Sequence, residues 1–113
     1  MAPPSKLAVA TSVVKRLVKE EASYHKEQGQ QEARIKKLQE GSSDENAEYM
    51  LKQEQQALEE TKKVFPSLRQ KIQDALAKLE EELVTDGGSA PTEEVTKAKE
   101  VVAEAKKAIR EVT

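Results

Sequence analysis

The residue types from which catalytic and metal sites are built are scarce in this chain. It contains one histidine, His25, and no cysteine, so it cannot assemble a Cys–His nucleophile pair or a zinc site with several imidazole or thiolate ligands. Its four glycines form no phosphate-binding loop between a strand and a helix. We therefore expect no enzymatic activity, no cofactor and no metal. We predict that His25 is a solvated imidazole on a helix surface.

A run of three glutamates at 80–82 is the densest acidic cluster. It lacks the alternating ligands around a glycine that define a calcium loop. A solvated helix end explains it most simply, and the alternative is contact with a cation or a protein partner.

The segment 13–20 carries more apolar residues than one helical stripe needs. Val14 and Leu17 fall on the apolar stripe, and Val13 and Val18 lie beside it. Lys15, Arg16 and Lys19 form a cationic edge. One interpretation is a wide apolar face on a helix that packs between two others. The other is a patch that docks a protein, with its basic groups directed at an acidic surface.

Composition restricts the kind of fold that could carry such a patch. The chain has 113 residues, of which 35% are charged and 3% aromatic, yet its net charge is only −2. The length favours a single domain, 1–113. The small net charge and a strong apolar period argue against disorder, and they also argue against nucleic acid as the main partner. Because no apolar run could span a membrane, we expect a soluble intracellular protein.

Apolar residues at alternating spacings of three and four predict a first helix from about residue 6 to residue 39. The centre of its seam is polar, at Glu21, Gln28 and Gln31. We expect this centre to be solvated or hydrogen-bonded rather than to hold a metal. The predicted seam comprises Leu7, Ala10, Val14, Leu17, Glu21, Tyr24, Gln28, Gln31, Ile35 and Leu38.

A second helix is predicted from about residue 44 to residue 84, after a capping box formed by Ser42 and Glu45. Pro66 lies within its apolar pattern. Proline removes one backbone donor and crowds the preceding turn, so we expect a kink there. The alternative is a helix end at Phe65 and four helices in all. The predicted seam repeats every seventh residue at Leu51, Leu58, Phe65, Ile72 and Leu79.

A third helix is predicted from 91 to 112, after the glycine-rich linker 87–89 and with Pro91 in its first turn. Single amphipathic helices are marginal in water, and short connections bring neighbours back antiparallel. The fold class is therefore all-α, an antiparallel three-helix bundle with left-handed, coiled-coil-like packing. The third seam comprises Val95, Ala98, Val102, Ala105, Ile109 and Val112.

Two features resemble the tubulin-specific chaperone A family, also called tubulin-folding cofactor A. They are the string Val-Val-Lys-Arg-Leu-Val-Lys-Glu at 13–20 and a proline inside a helix at Pro66. The resemblance covers roughly residues 6–84 and suggests a plant member, whereas the last thirty residues match only in helical character. Further matching residues are Tyr24, Lys26, Glu27, Gln31, Glu32, Ile35, Lys36, Lys37, Lys52, Gln53, Glu54, Leu58, Glu59 and Leu68.

This resemblance implies a cytoplasmic, microtubule-cytoskeleton-associated, non-catalytic chaperone, as a monomer or a homodimer. It would capture β-tubulin after release from the chaperonin and pass it to other tubulin-folding cofactors for assembly of the α/β heterodimer. The partner-binding residues that we expect on this basis are Lys15, Arg16, Lys19, Glu20, Glu27 and Glu32.

Two other functions fit a charged helical bundle. A spectrin-repeat-like structural or adaptor module of the cytoskeleton has a similar length and helix count, but such repeats normally bury a tryptophan in the first helix, and this chain has none. A membrane-surface helix protein would have Lys/Arg-rich polar faces with bulky aromatics opposite them, and neither feature is present.

Overall fold

The computed structural model describes residues 5–41 and 45–111, which form three helices. They are α1 (Lys6–Gly41), α2 (Glu45–Asp86) and α3 (Thr92–Glu111). The described residues contain no strand, so the all-α prediction is confirmed. In those same ranges, no helix has an apolar stretch long enough to cross a bilayer.

The helix ends lie close to their predicted positions. The helices α1 and α2 each continue two residues beyond the predicted ends at 39 and 84. Ser5, which the sequence analysis did not single out, caps α1 because its Oγ accepts a hydrogen bond from the Ala8 backbone N–H at 3.0 Å. Pro91 directly precedes α3, and its carbonyl accepts the Val95 N–H at 3.1 Å. The predicted Ser42 cap and the predicted seam residue Val112 lie outside the described residues.

Gly87 ends α2. Its N–H donates to the Leu83 carbonyl at 3.0 Å, which keeps the chain tightly wound at this point. A Cβ at this position would collide with that same carbonyl oxygen. The turn from α2 toward α3 therefore requires glycine here.

Pro66 lies inside a continuous α2, so the alternative of a helix end at Phe65 and a four-helix chain is wrong. The kink at Pro66 and the left-handed sense of the packing stay predictions.

The chain divides into two compact units, which are described separately below. The three-helix unit comprises Met1–Glu20 and Leu68–Thr113, and the hairpin unit comprises Glu21–Ser67. The assignment of 1–113 as a single domain stays a prediction.

In the three-helix unit the first part of α1 and the whole of α3 run parallel to each other, and the last part of α2 runs antiparallel to both. Ser5 at the start of α1 donates a hydrogen bond to Glu94 at the start of α3, at 2.9 Å. Lys106, late in α3, lies 3.6 Å from Glu80 in the last part of α2. This unit contains most of the apolar core, namely Leu7, Ala10, Val14, Leu17, Leu68, Ile72, Leu76, Leu79, Ala98, Val101 and Ala105.

The third seam needs one correction. We predicted that Val102 faces the core, but Val101 is the buried residue, at 3% exposure, and Val102 is half-buried. Spacings of three and four from Ala98 reach both positions, so the period alone did not separate them.

The hairpin unit is formed by the rest of α1 and the first part of α2, which run antiparallel. Two contacts show that these segments are antiparallel: His25 of α1 contacts Phe65 of α2, and Arg34, further along α1, contacts Glu54, which lies earlier in α2. Its seam residues Leu51 and Leu58 are only half-buried. The buried positions in the described part of this unit are few and mostly polar, namely Glu21, Gln31, Ala47, Thr61 and Phe65.

Candidate partner-binding surface

The cationic edge of Lys15, Arg16 and Lys19 lies on α1 in the three-helix unit. Arg16, Lys19 and the adjacent Glu20 are exposed, and Lys15 is half-buried. Within the described ranges none of these four side chains forms an ion pair with another part of the chain. Their charges are therefore available to a partner.

Helical spacing divides this group into two strips. Lys15 and Lys19, four residues apart, lie one above the other, and Arg16 and Glu20 form the neighbouring strip. Lys15 and Lys19 thus present a purely positive strip, whereas Arg16 and Glu20 present one charge of each sign.

Glu27 and Glu32, the other two expected contact residues, belong to the hairpin unit and already interact with side chains of this unit. Glu27 lies 3.6 Å from Arg34, whose Nε also contacts Glu54 at 2.9 Å. Glu32 accepts a hydrogen bond from Gln28 Nε2 at 2.9 Å. Both carboxylates are exposed, so a partner could reach them only in competition with these contacts.

The three-helix unit also contains an open groove, which we call the α1/α2 groove. Its volume is about 480 Å³. Val13, which the sequence analysis noted beside the predicted seam, is half-buried in its wall, and Val9 is 47% exposed. Val18, the other flanking valine, is half-buried and lies outside the groove. The groove is lined by Lys6, Val9, Ala10, Val13, Ala75, Lys78 and Glu82.

Glu82 is the one acidic side chain among the described residues that line the α1/α2 groove. The pKa of its carboxyl is raised above the ordinary value, chiefly because it shares a hydrogen bond with the Asp86 carboxyl. Desolvation and the negative charge of Asp86 raise this pKa further, and the ammonium of Lys6 acts in the opposite direction. The acidic run 80–82 is therefore not uniform, because Glu80 contacts Lys106 and Glu82 is coupled to Asp86.

We predict that Glu82→Gln weakens the pH dependence of stability. The raised pKa means that the native state binds this proton more tightly than the unfolded chain does. The contribution of Glu82 is therefore fully present at low pH and is lost as the pH rises through the raised pKa. Urea unfolding from about pH 4 to pH 7 should show a flatter curve for the variant. An unchanged curve for Glu82→Gln would contradict the coupling to Asp86.

The polar centre of the first seam differs from the expectation. We expected a solvated or hydrogen-bonded centre, but Glu21 and Gln31 are buried, at 2% and 4% exposure. Glu21 Oε2 and Gln31 Oε1 have no hydrogen-bond partner among the described residues. Gln28 is half-buried. In the described part of the chain, no three acidic or histidine side chains lie close enough together to hold a metal ion.

His25 is exposed but not simply solvated, which corrects our prediction in part. The His25 ring stacks on the Phe65 ring, with centroids 4.5 Å apart and an angle of 26° between the planes. The Tyr24 ring meets the Phe65 ring edge-on, with centroids 6.4 Å apart. His25 Nε2 lies 3.9 Å from Glu21 Oε1. These contacts give His25 a structural role in the hairpin unit.

A second open groove, of about 450 Å³, lies in the hairpin unit between Leu38 and Met50. Met50 is 53% exposed, and Arg34 and Glu54 at the groove edge are paired with each other. The sequence analysis did not identify this groove, because Met50 lies one position outside the predicted seam.

Several known proteins are similar to this chain over most of its length. The sequence profile of the family described as "Tubulin binding cofactor A" matches residues 2–102. Tubulin-specific chaperone A of Saccharomyces cerevisiae is 36% identical over 102 residues, which cover 90% of this chain and 92% of the yeast protein. Tubulin-folding cofactor A of Arabidopsis thaliana is 33% identical over 111 residues, which cover 95% of this chain and 94% of the Arabidopsis protein.

A solved structure is similar as well. The crystal structure of tubulin folding cofactor A from Arabidopsis thaliana matches with a TM-score of 0.78 at 31% identity, covering 89% of this chain and 92% of that one. These matches extend the similarity into α3, beyond the range 6–84 assigned from the sequence.

Proposed function

Since the chain belongs to the tubulin binding cofactor A family, we propose that it is a non-catalytic tubulin-folding cofactor. It captures β-tubulin after release from the chaperonin and passes it to the other tubulin-folding cofactors for α/β heterodimer assembly. The observation that carries this proposal is the family match over residues 2–102, supported by the likeness to the Arabidopsis cofactor structure. We further propose that it acts in the cytoplasm, in association with the microtubule cytoskeleton.

Capture in this proposal is reversible binding by the outer faces of the helices. The chain contributes exposed charge on a bundle whose core is already formed, so binding requires no large rearrangement of the three-helix unit. Lys15, Arg16 and Lys19 would approach acidic tubulin surface, and Glu20 would help set the orientation. Glu27 and Glu32 would contribute less, because each must first leave an intramolecular partner.

The function itself is tested by binding of the purified chain to purified β-tubulin, measured by size-exclusion chromatography and by surface plasmon resonance. A complex that forms without nucleotide is the expected result. Failure to bind β-tubulin, with normal helical circular dichroism, would contradict the proposal.

The contribution of the cationic edge is tested by the triple substitution of Lys15, Arg16 and Lys19 with glutamate. We expect the association rate with β-tubulin to fall by roughly tenfold or more, and its salt dependence to weaken, because such charges mainly steer the encounter. The matched control reverses the exposed Lys97, Lys99 and Lys107 on α3, with the same change in net charge. Equal effects of the two variants would exclude a specific role for the cationic edge.

A further inference from the structure

The α1/α2 groove has the form and charge of a helix-docking site. We propose that it binds an amphipathic helix of the tubulin client, with the apolar side of that helix in the groove and carboxylates along its edges. This inference rests on the proposed function and adds a second contact surface to the cationic edge.

The floor of the groove is apolar and shallow. Val9, at 47% exposure, and the half-buried Val13 form it on α1, and Ala75 contributes from α2. Because these side chains are small, the backbone of a docked helix could approach closely, as in helix packing within a bundle. An exposed valine beside a half-buried one on a packed helix is apolar surface that a partner could cover.

The length of the groove suits about two helical turns. Lys6 and Val13 are seven positions apart on α1, as are Ala75 and Glu82 on α2. At 1.5 Å per residue each row extends for roughly 10 Å. The furrow between two neighbouring antiparallel helices is also where a further helix of a bundle would pack.

The third helix leaves this furrow open. It contacts α1 through Ser5 and α2 through Glu80, and neither residue lines the groove. The described residues that line the groove all belong to α1 and α2.

The charges around the floor determine the chemistry of the occupant. Lys6 and Lys78 flank the groove from α1 and α2. Arg16, three residues beyond Val13, and Lys71, four residues before Ala75, continue the same two rows and are exposed. In the described part of the chain none of these four cations forms an ion pair, and Glu82 is the one acidic residue lining the groove. Glu82 and Asp86 lie at the Lys6 end of the α2 row, and along the rest of the groove Lys78, Lys71 and Arg16 favour carboxylates on the edges of an amphipathic helix.

The test uses two probes with the full chain, purified β-tubulin and a synthetic amphipathic peptide. The peptide is about 18 residues long, so that it can be helical, with leucines on one face and glutamates along both edges. A second peptide carries lysine in place of each glutamate. The protein variants are Lys6→Glu with Lys78→Glu in the groove, and Lys97→Glu with Lys107→Glu on α3 as the control of equal charge. Because Val9 is exposed, Val9→Ser serves as a groove variant that should not disturb folding.

We expect the acidic peptide to bind and the basic one not to bind, with amide chemical shifts changing at Val9, Val13 and Ala75. The groove double variant and Val9→Ser should each weaken peptide and β-tubulin binding, the double variant by at least about tenfold, while the α3 control binds as the wild type does. Full β-tubulin binding by both groove variants would overturn the proposal and leave the proposed function intact. If the wild-type chain does not bind β-tubulin, the proposed function is contradicted. The peptide measurements would then show independently whether the groove binds an acidic helix.

Discussion

Replacing Leu79 with alanine is expected to lower the free energy of unfolding by about 2–5 kcal/mol. Leu79 is fully buried in the three-helix unit, so truncation removes its burial and leaves a cavity among packed neighbours. Small domains are stable by only about 5–15 kcal/mol, and a loss of this size would approach the limit of folding. Urea unfolding followed by circular dichroism measures the change.

The matched comparison is Leu58→Ala in the hairpin unit. Leu58 occupies the same heptad series but is only half-buried, so we expect about half the loss or less. Equal losses at Leu58 and Leu79 would contradict the uneven core that the burial pattern indicates.

This unevenness has a dynamic consequence. The apolar side chains of α3 pack in the three-helix unit, whereas the hairpin unit buries few apolar residues other than Ala47 and Phe65. Regions with little buried apolar surface open at lower free energy than the global unfolding. Amides of the hairpin unit should therefore exchange with solvent faster than those around Ile72 and Leu79.

The sequence predicted the helices well because apolar residues that recur at spacings of three and four can be read directly from the sequence. The seam residues Leu7, Val14 and Ile72 are all buried where the count placed them. Helix ends were accurate to about two residues, but the Ser5 cap was not predicted.

The surface was less predictable, because it depends on which faces neighbouring helices leave uncovered. The period showed that Val13 lies beside the seam, but not that α3 leaves it in an open groove with Lys78. Lys78 and Lys6 are distant in sequence, and only the antiparallel pairing of α1 and α2 brings them to one groove. The tubulin assignment came from the resemblance at 13–20 and Pro66, not from any physical property of these residues.

Burial of Glu21 was the least predictable feature, and it leads to the second large effect. Glu21→Leu is expected to raise the free energy of unfolding by about 1–4 kcal/mol. A carboxylate at 2% exposure loses its hydration, and Oε2 has no hydrogen-bond partner among the described residues. Leucine would replace it with apolar surface on a seam that continues Val14 and Leu17. Urea unfolding at neutral pH, beside the wild type, measures the gain.

The neighbouring Glu20→Leu is the control, since Glu20 is exposed and its replacement should change stability by no more than about 0.5 kcal/mol. Glu21→Gln separates charge from polarity, because the amide removes the buried charge but still requires hydrogen bonds. We expect the order of stability to be leucine, then glutamine, then the native glutamate. If Glu21→Leu were instead destabilising, the 3.9 Å approach of His25 would have to be a strong ion pair within the hairpin unit, and His25→Ala would then cause a comparable loss.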